Sequence, residues 1–208
     1  GTLQAVMFLT EWGLLDVDQQ ASYYLEDLKG TNKEGLIIRD ILLHQAGLVP
    51  YIPHWRRTVS EDGLSQWYFC DQQDNWFCLT VGNELFTPET MEDSLWQWTV
   101  QSDLLKPNKQ GVFDYKYSDL GFYILHRIVE SLIHQPIEEF LAQNLWEPMG
   151  IWRMTYFPTE AFPLDQIAPT EVDKYFRNQM IHGTVHDPGA ALMGGVAGHA
   201  GLFSNAFE

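Results

Sequence analysis

Leu120, Tyr123, Ile124, Arg127, Ile128 and Leu132 recur at helical spacing, a largely apolar stripe that predicts a helix beginning near Asp119. Directly ahead of the stripe stand Tyr117, Ser118 and Asp119, which set a phenol, a hydroxyl and a carboxylate on consecutive positions. Ser118 or Asp119 suits the N-cap, because a short side-chain oxygen can accept an otherwise unpaired amide of the first turn. Tyr117 then projects from the turn before the helix. Taken alone, the triplet reads first as a plain cap beside a core aromatic.

The same periodicity marks other segments. Residues 2–12 read as the later turns of an amphipathic helix closed by Gly13, and a short helix through Tyr24 and Leu25 precedes a polar loop from Lys29 to Glu34. Ile38, Ile41, Leu42 and Leu43 predict a helix with Gly47 as its C-terminal cap and His44, a structural histidine, facing its last carbonyls. Met91 to Leu105 reads as helical, as does the stretch that opens at Pro136 and closes at Glu147-Pro148-Met149-Gly150. Residues 49–82 hold Pro50, Pro53, Trp55, Trp67 and Trp76 without helical spacing, and read as a decorated loop or irregular hairpin of the kind that walls a binding site. Toward the C-terminus Gly183, Gly189, Gly194, Gly195, Gly198 and Gly201 crowd around His182, His186, Asp187 and His199, which suits an active-site floor or a bulged sheet edge.

Composition narrows the partners. A chain of 208 residues, 45% hydrophobic and 14% aromatic, can build a packed core, and no apolar run reaches the roughly 20 residues of a membrane span. Twelve Lys and Arg against 28 Asp and Glu leave a net charge of −16, which repels phosphate backbones and argues against nucleic acid. Cys70 and Cys78 share one aromatic-rich segment and can pair across a hairpin or stay reduced; two thiols do not identify a compartment. His182, His186, Asp187 and His199 raise the idea of a metal site, but Gly183 and Pro188-Gly189 argue against the helix that would bring two of these imidazoles to one face, so no metal or other cofactor is assigned.

Four segments together carry a resemblance: Leu42-Leu43-His44-Gln45-Ala46-Gly47-Leu48, Tyr117-Ser118-Asp119-Leu120-Gly121, Glu147-Pro148-Met149-Gly150 and Gly198-His199-Ala200-Gly201-Leu202-Phe203-Ser204. Their order and spacing resemble the serine β-lactamase-like family, which includes class C β-lactamases, DD-peptidases (penicillin-binding proteins) and related esterases. Ile167-Ala168-Pro169-Thr170-Glu171, Phe176-Arg177 and Val185-His186-Asp187 look more narrowly like the β-lactamase-type domain fused behind family 3 glycoside hydrolases in Bacteroidota. The resemblance implies an α/β (α+β) serine β-lactamase/DD-peptidase-like fold, of which residues 1–208 are a domain truncated at both ends, mostly its helical subdomain with few strands and with apolar surface left open toward the sheet. It also implies the bacterial cell envelope or periplasm, a small-molecule or cell-wall-derived substrate, and a fused glycoside hydrolase as a partner.

The resemblance further assigns chemistry. The family's nucleophile is a Ser followed three residues later by a Lys, a spacing that stacks both on one helix face. No such pair opens this chain, so it is expected a turn or two before Gly1, and the third motif beyond Glu208. Tyr117 aligns with the family's proton-relaying tyrosine; a phenol with a pKa of about 10 needs a neighbouring cation to act near neutrality, and that Lys would supply it. Asp119 stands where the familiar form has Asn. An ionised Asp accepts but does not donate, so it suits anchoring the Lys ammonium and weakens the case for amide-carbonyl binding. Ser118, His199 and Gly201 are expected at the substrate, with a structural hydrogen bond as the alternative for His199. Two function classes follow: a serine hydrolase acting on an ester or cell-wall-derived amide, inactive as this segment alone, and a non-catalytic accessory or binding module of a fused glycoside hydrolase.

Overall fold

In a computed structural model, which describes residues 1–207, the chain forms two compact units, each assembled from two separated stretches. One holds Gly1–Ile52 with Gln97–Met149, the other Pro53–Trp96 with the chain from Gly150 on. The division falls within one helix.

The first unit is helical. It contains α1 (Thr2–Glu11), α2 (Ala21–Tyr24), α3 (Ile38–Leu42), the end of α4 (Thr90–Val100), α5 (Asp119–Ile133) and α6 (Ile137–Leu141), which widens into a π turn over Ala142–Trp146. The longest element is α5, and α1, α2, α3 and α6 all pack on it. Its buried face takes in Leu120, Tyr123, Ile124 and Ile128 of the predicted stripe and adds Leu125 and Val129, while Leu132 is half-buried; Leu120, Ile124, Leu125, Ile128 and Val129 are wholly inaccessible, each contributing about 2 kcal/mol of apolar burial. Gly121 lets α3 close in, since a Cβ there would lie 2.9 Å from Cγ2 of Ile41. The helix ends at His134, left-handed at φ 54°, before Pro136.

Two details of this unit depart from the expected pattern. The residue that turns left-handed directly after α3 is His44, at φ 56°, whereas Gly47, itself at φ 73°, sits further along the loop, where a Cβ would meet the Phe113 ring at 2.5 Å. Close aromatic packing and a left-handed loop backbone, not helix termination, therefore require that glycine. Within the polar loop, Lys33 is fully buried. Its ammonium donates to Asn32 Oδ1 and to the carbonyls of Val100 and Ser102, satisfying acceptors at the C-terminal end of α4. Burial pulls its pKa down from 10.5 to about 8, partly offset by the Asp103 charge.

The second unit holds the six strands found among the described residues, as three antiparallel hairpins: β1 (Val59–Ser60) with β2 (Gly63–Leu64), β3 (Leu79–Gly82) with β4 (Leu85–Thr87), and β5 (Pro169–Asp173) with β6 (Gln179–His182). Short helices α7 (Pro158–Ala161) and α8 (Pro188–Leu192) complete it. The decorated segment is thus two hairpins, and Cys70 bridges the outer edge of β4 by reciprocal hydrogen bonds with Phe86. Because Phe86 also pairs with Thr80, β4 lies between Cys70 and the strand that Cys78 leads into; two strand spacings put the thiols on the order of 10 Å apart, beyond the ~7 Å reach of a disulfide. Both are free cysteines.

Arg177 ties this unit together. Its wholly buried guanidinium bonds Asp173 Oδ2 at 2.8 Å, the carbonyls of Val81 and Val185, and the carbonyl of His186. Asp173 in turn accepts the amides of Tyr175, Phe176 and Arg177. Burial pushes the Asp173 carboxyl up, but those amides and the guanidinium outweigh it and hold the pKa at about 2. Phe176, 1% exposed, anchors the same corner against Trp55 and Phe69. Phe176-Arg177 is therefore a folding element.

Candidate active site

The helix mouth has the geometry its sequence predicts. Ser118, in extended backbone, is the N-cap: its hydroxyl accepts the Leu120 amide at 3.2 Å and donates to the Val49 carbonyl at 2.7 Å. Asp119 occupies the first helical position, its amide donating to the Pro50 carbonyl at 3.0 Å, with a half-buried carboxylate at the positive end of the α5 dipole. Tyr117, 50% exposed, lies just outside the helix with its ring tilted over that of His44 at 4.6 Å between centroids. One stretch of loop, His44 to Pro50, thus supplies acceptors to Lys116, Ser118 and Asp119 in succession. The arrangement carries a phenol and a carboxylate two positions apart on an anchored backbone.

Of the residues expected at the substrate, Ser118 is 2% exposed with its hydroxyl engaged in the cap, and it belongs with Tyr117 and Asp119 to the helical unit. His199 and Gly201 belong to the other unit. The His199 side chain is 4% exposed and bonds Asp187 Oδ1 at 2.9 Å through Nε2, while Asp187 caps α8 by accepting the Ala190 amide. Burial raises the Asp187 carboxyl, but the His199 bond and charge, the Ala190 amide and the nearby His186 together bring it below its ordinary value. The geometry of His199 is that of the structural alternative. Gly201, at φ 117°, passes so close to the Gly195 carbonyl that a Cβ would stand 2.0 Å from the oxygen. Its lack of a side chain lets two glycine-rich segments cross.

The histidines near the C-terminus do not converge. His182 Nε2 faces the Ile167 carbonyl at 2.6 Å, His199 is held by Asp187, and among the described residues no group of three or more His, Cys, Asp or Glu is placed to hold a metal ion. The second unit also contains an open cleft of about 480 Å³, walled by Phe162, Ile167 and Phe203 and edged by Arg153, Gln166 and Asn205. Its lining includes Ile167 to Thr170 of one segment that carries the resemblance and Phe203 and Ser204 of another, although neither was read as a cleft wall. Among the described residues no helix is long and apolar enough to cross a membrane.

A helical unit with a capped helix carrying Tyr-Ser-Asp at its mouth, and a second unit of hairpins and a glycine-rich segment, are together a combination of the serine β-lactamase and DD-peptidase fold class. The Beta-lactamase family profile matches residues 2–207, and the chain belongs to that family. A protein of Salmonella agona provisionally named D-alanyl-D-alanine carboxypeptidase is 28% identical over 98% of this chain and 45% of its own length. An Escherichia coli protein with the same provisional name is 39% identical over 43% of this chain and 23% of its own. Among solved structures, a class C β-lactamase from Rhodobacter sphaeroides superposes with a TM-score of 0.58 at 18% identity, over 99% of this chain and 45% of that one, and shares the fold. The chain spans less than half the length of these relatives.

Proposed function

We propose that this chain carries part of the active site of a serine hydrolase that works through an acyl-enzyme on an ester or a cell-wall-derived amide. The observation that carries the reading is the placement of Tyr117, half-exposed on a backbone-anchored turn, two positions ahead of Asp119 at the start of α5. In this reading a serine hydroxyl attacks the carbonyl carbon, its proton passes to the Tyr117 oxygen, and the same phenol returns a proton to the departing alkoxide or amine. A lysine three residues after the serine keeps the phenol acidic, and Asp119 holds that ammonium. The relatives' provisional name supports a substrate ending in D-alanine.

The likeness of residues 167–187 to domains fused behind family 3 glycoside hydrolases extends the proposal to a fused glycosidase, checked by reading the coding sequence on either side. The test of the chemistry is aryl-ester hydrolysis and fluorophosphonate labelling by the full-length polypeptide that contains these residues. Tyr117→Phe is expected to lower kcat by about 10²- to 10⁴-fold, the range for a lost proton-transfer group. Asp119→Asn should lower it as well. Full activity in Tyr117→Phe would refute the relay, whereas no labelled serine in the parent would leave the non-catalytic accessory module instead.

A further inference from the structure

We infer that His44 is a positioning residue for Tyr117, fixing the phenol-bearing turn from both sides; the inference rests on the proposed relay role of Tyr117. The backbone amides that flank Tyr117 belong to Lys116 and Ser118, and both donate to one residue. Lys116 N–H bonds the His44 carbonyl at 2.8 Å, and Ser118 N–H bonds His44 Nδ1 at 3.2 Å. A histidine nitrogen that accepts carries no proton, so the ring proton lies on Nε2. The ring fills the space behind the phenol: its centroid is 4.6 Å from that of Tyr117, 5.8 Å from Phe122 and 5.9 Å from Tyr115, which meets it edge-on.

Three features set this apart from ordinary packing. First, α5 begins without help from His44, because the Ser118 hydroxyl and the Asp119 amide already tie the helix start to Val49 and Pro50. The His44 bonds act one step earlier, on the turn that aims Tyr117. Second, His44 sits at φ 56°, a left-handed backbone that glycine adopts with less strain. Glycine would provide neither the Nδ1 acceptor nor the ring. Third, both bonds span a long stretch of chain, 74 positions for the side-chain bond, so they set where Tyr117 stands relative to α3 and not merely its local conformation. Displacing a reacting group by about 1 Å can cost on the order of 10²-fold in rate.

The test compares His44→Gly, His44→Asn and Tyr117→Phe in the full-length polypeptide. Glycine keeps the backbone conformation and removes the acceptor and the ring, whereas asparagine tolerates positive φ and places its Oδ1 near the Nδ1 position. His44→Gly is expected to lower kcat for an aryl ester by about 10- to 100-fold with KM within about twofold, and to lose hydrogen-exchange protection at the Ser118 amide. His44→Asn should recover most of both. If Tyr117→Phe is inactive while His44→Gly keeps kcat within about twofold, positioning by His44 is overturned and the relay survives. A folded His44→Asn as impaired as His44→Gly also overturns the assignment to the Nδ1 bond, and should His44→Gly not fold, His44→Asn alone decides. Full activity in Tyr117→Phe sinks the relay reading itself.

Discussion

Replacing Lys33 by Met tests how the first unit tolerates a charge with no water around it. Lys33 is fully buried, and its three donors are met by two backbone carbonyls and an amide oxygen rather than by a carboxylate. Desolvation lowers its pKa from 10.5 to about 8, so the folded state holds the proton less tightly than the unfolded chain does. Below pH 8 both states are charged and the folded state carries the whole penalty, about 3 kcal/mol for that shift. Between pH 8 and 10.5 the folded state releases its proton while the unfolded state keeps its own, so stability rises with pH across that window. Lys33→Met lacks this dependence. At any single pH its stability also reflects carbonyls left without donors, about 1–3 kcal/mol for each one stranded, which obscures the electrostatic effect. The informative quantity is therefore the difference between wild type and variant, followed by urea unfolding from pH 7 to pH 11. Wild type should gain on the variant by about 3 kcal/mol over that range, nearly all of it above pH 8. A difference flat to within about 0.5 kcal/mol would refute the buried-ammonium account.

Other outcomes follow from the second unit. Asp173, held at about 2 against 3.8, stabilises the fold above pH 4, and about 2 kcal/mol of that should disappear as pH falls from 4 through 2; the loss should be absent in Asp173→Asn, followed by acid unfolding. At pH 7 the same variant strands the buried Arg177 guanidinium and should lose about 3–5 kcal/mol, read as a fall in Tm. Gly201→Ala forces a side chain onto the Gly195 carbonyl at positive φ and should cost about 3 kcal/mol or more, with faster proteolysis near residue 200; a melt unchanged within about 1 °C would contradict the close crossing.

The parts legible in sequence were those set by neighbours along the chain. The α5 stripe, its cap at Ser118 and the turn carrying Tyr117 all depend on residues a few positions apart, and pattern reveals such relations. Lys33 escaped notice because Lys-Gly-Thr-Asn-Lys-Glu reads as solvated, and its burial is decided by carbonyls 67 and 69 positions away. Arg177 stood only in a segment that carries the resemblance: neither its bond to Asp173, across the bend that follows β5, nor its bond to Val81, 96 positions away, was assigned from the sequence. His44 was expected to face the carbonyls of its own helix, but its ring and carbonyl serve the Tyr117 turn, a partner set by the packing of α3 against α5. His182, His186 and His199 looked like a cluster because they are close in sequence, whereas the turn at Gly183 and the cap at Asp187 send them to different tasks.

The separation of Cys70 and Cys78 by β4 bears on the order of events during maturation. In the unfolded chain the two thiols are near neighbours and close a small loop with little entropic penalty. Oxidised at that stage, they would forbid the pairing of Cys70 with Phe86 and of Phe86 with Thr80, because no disulfide reaches across an intervening strand. Folding first reverses the outcome, since the finished sheet holds the sulfurs apart and each can react only with an outside partner. Where this chain matures under oxidising conditions, hairpin formation has to outrun thiol oxidation, or a reductase has to undo the error.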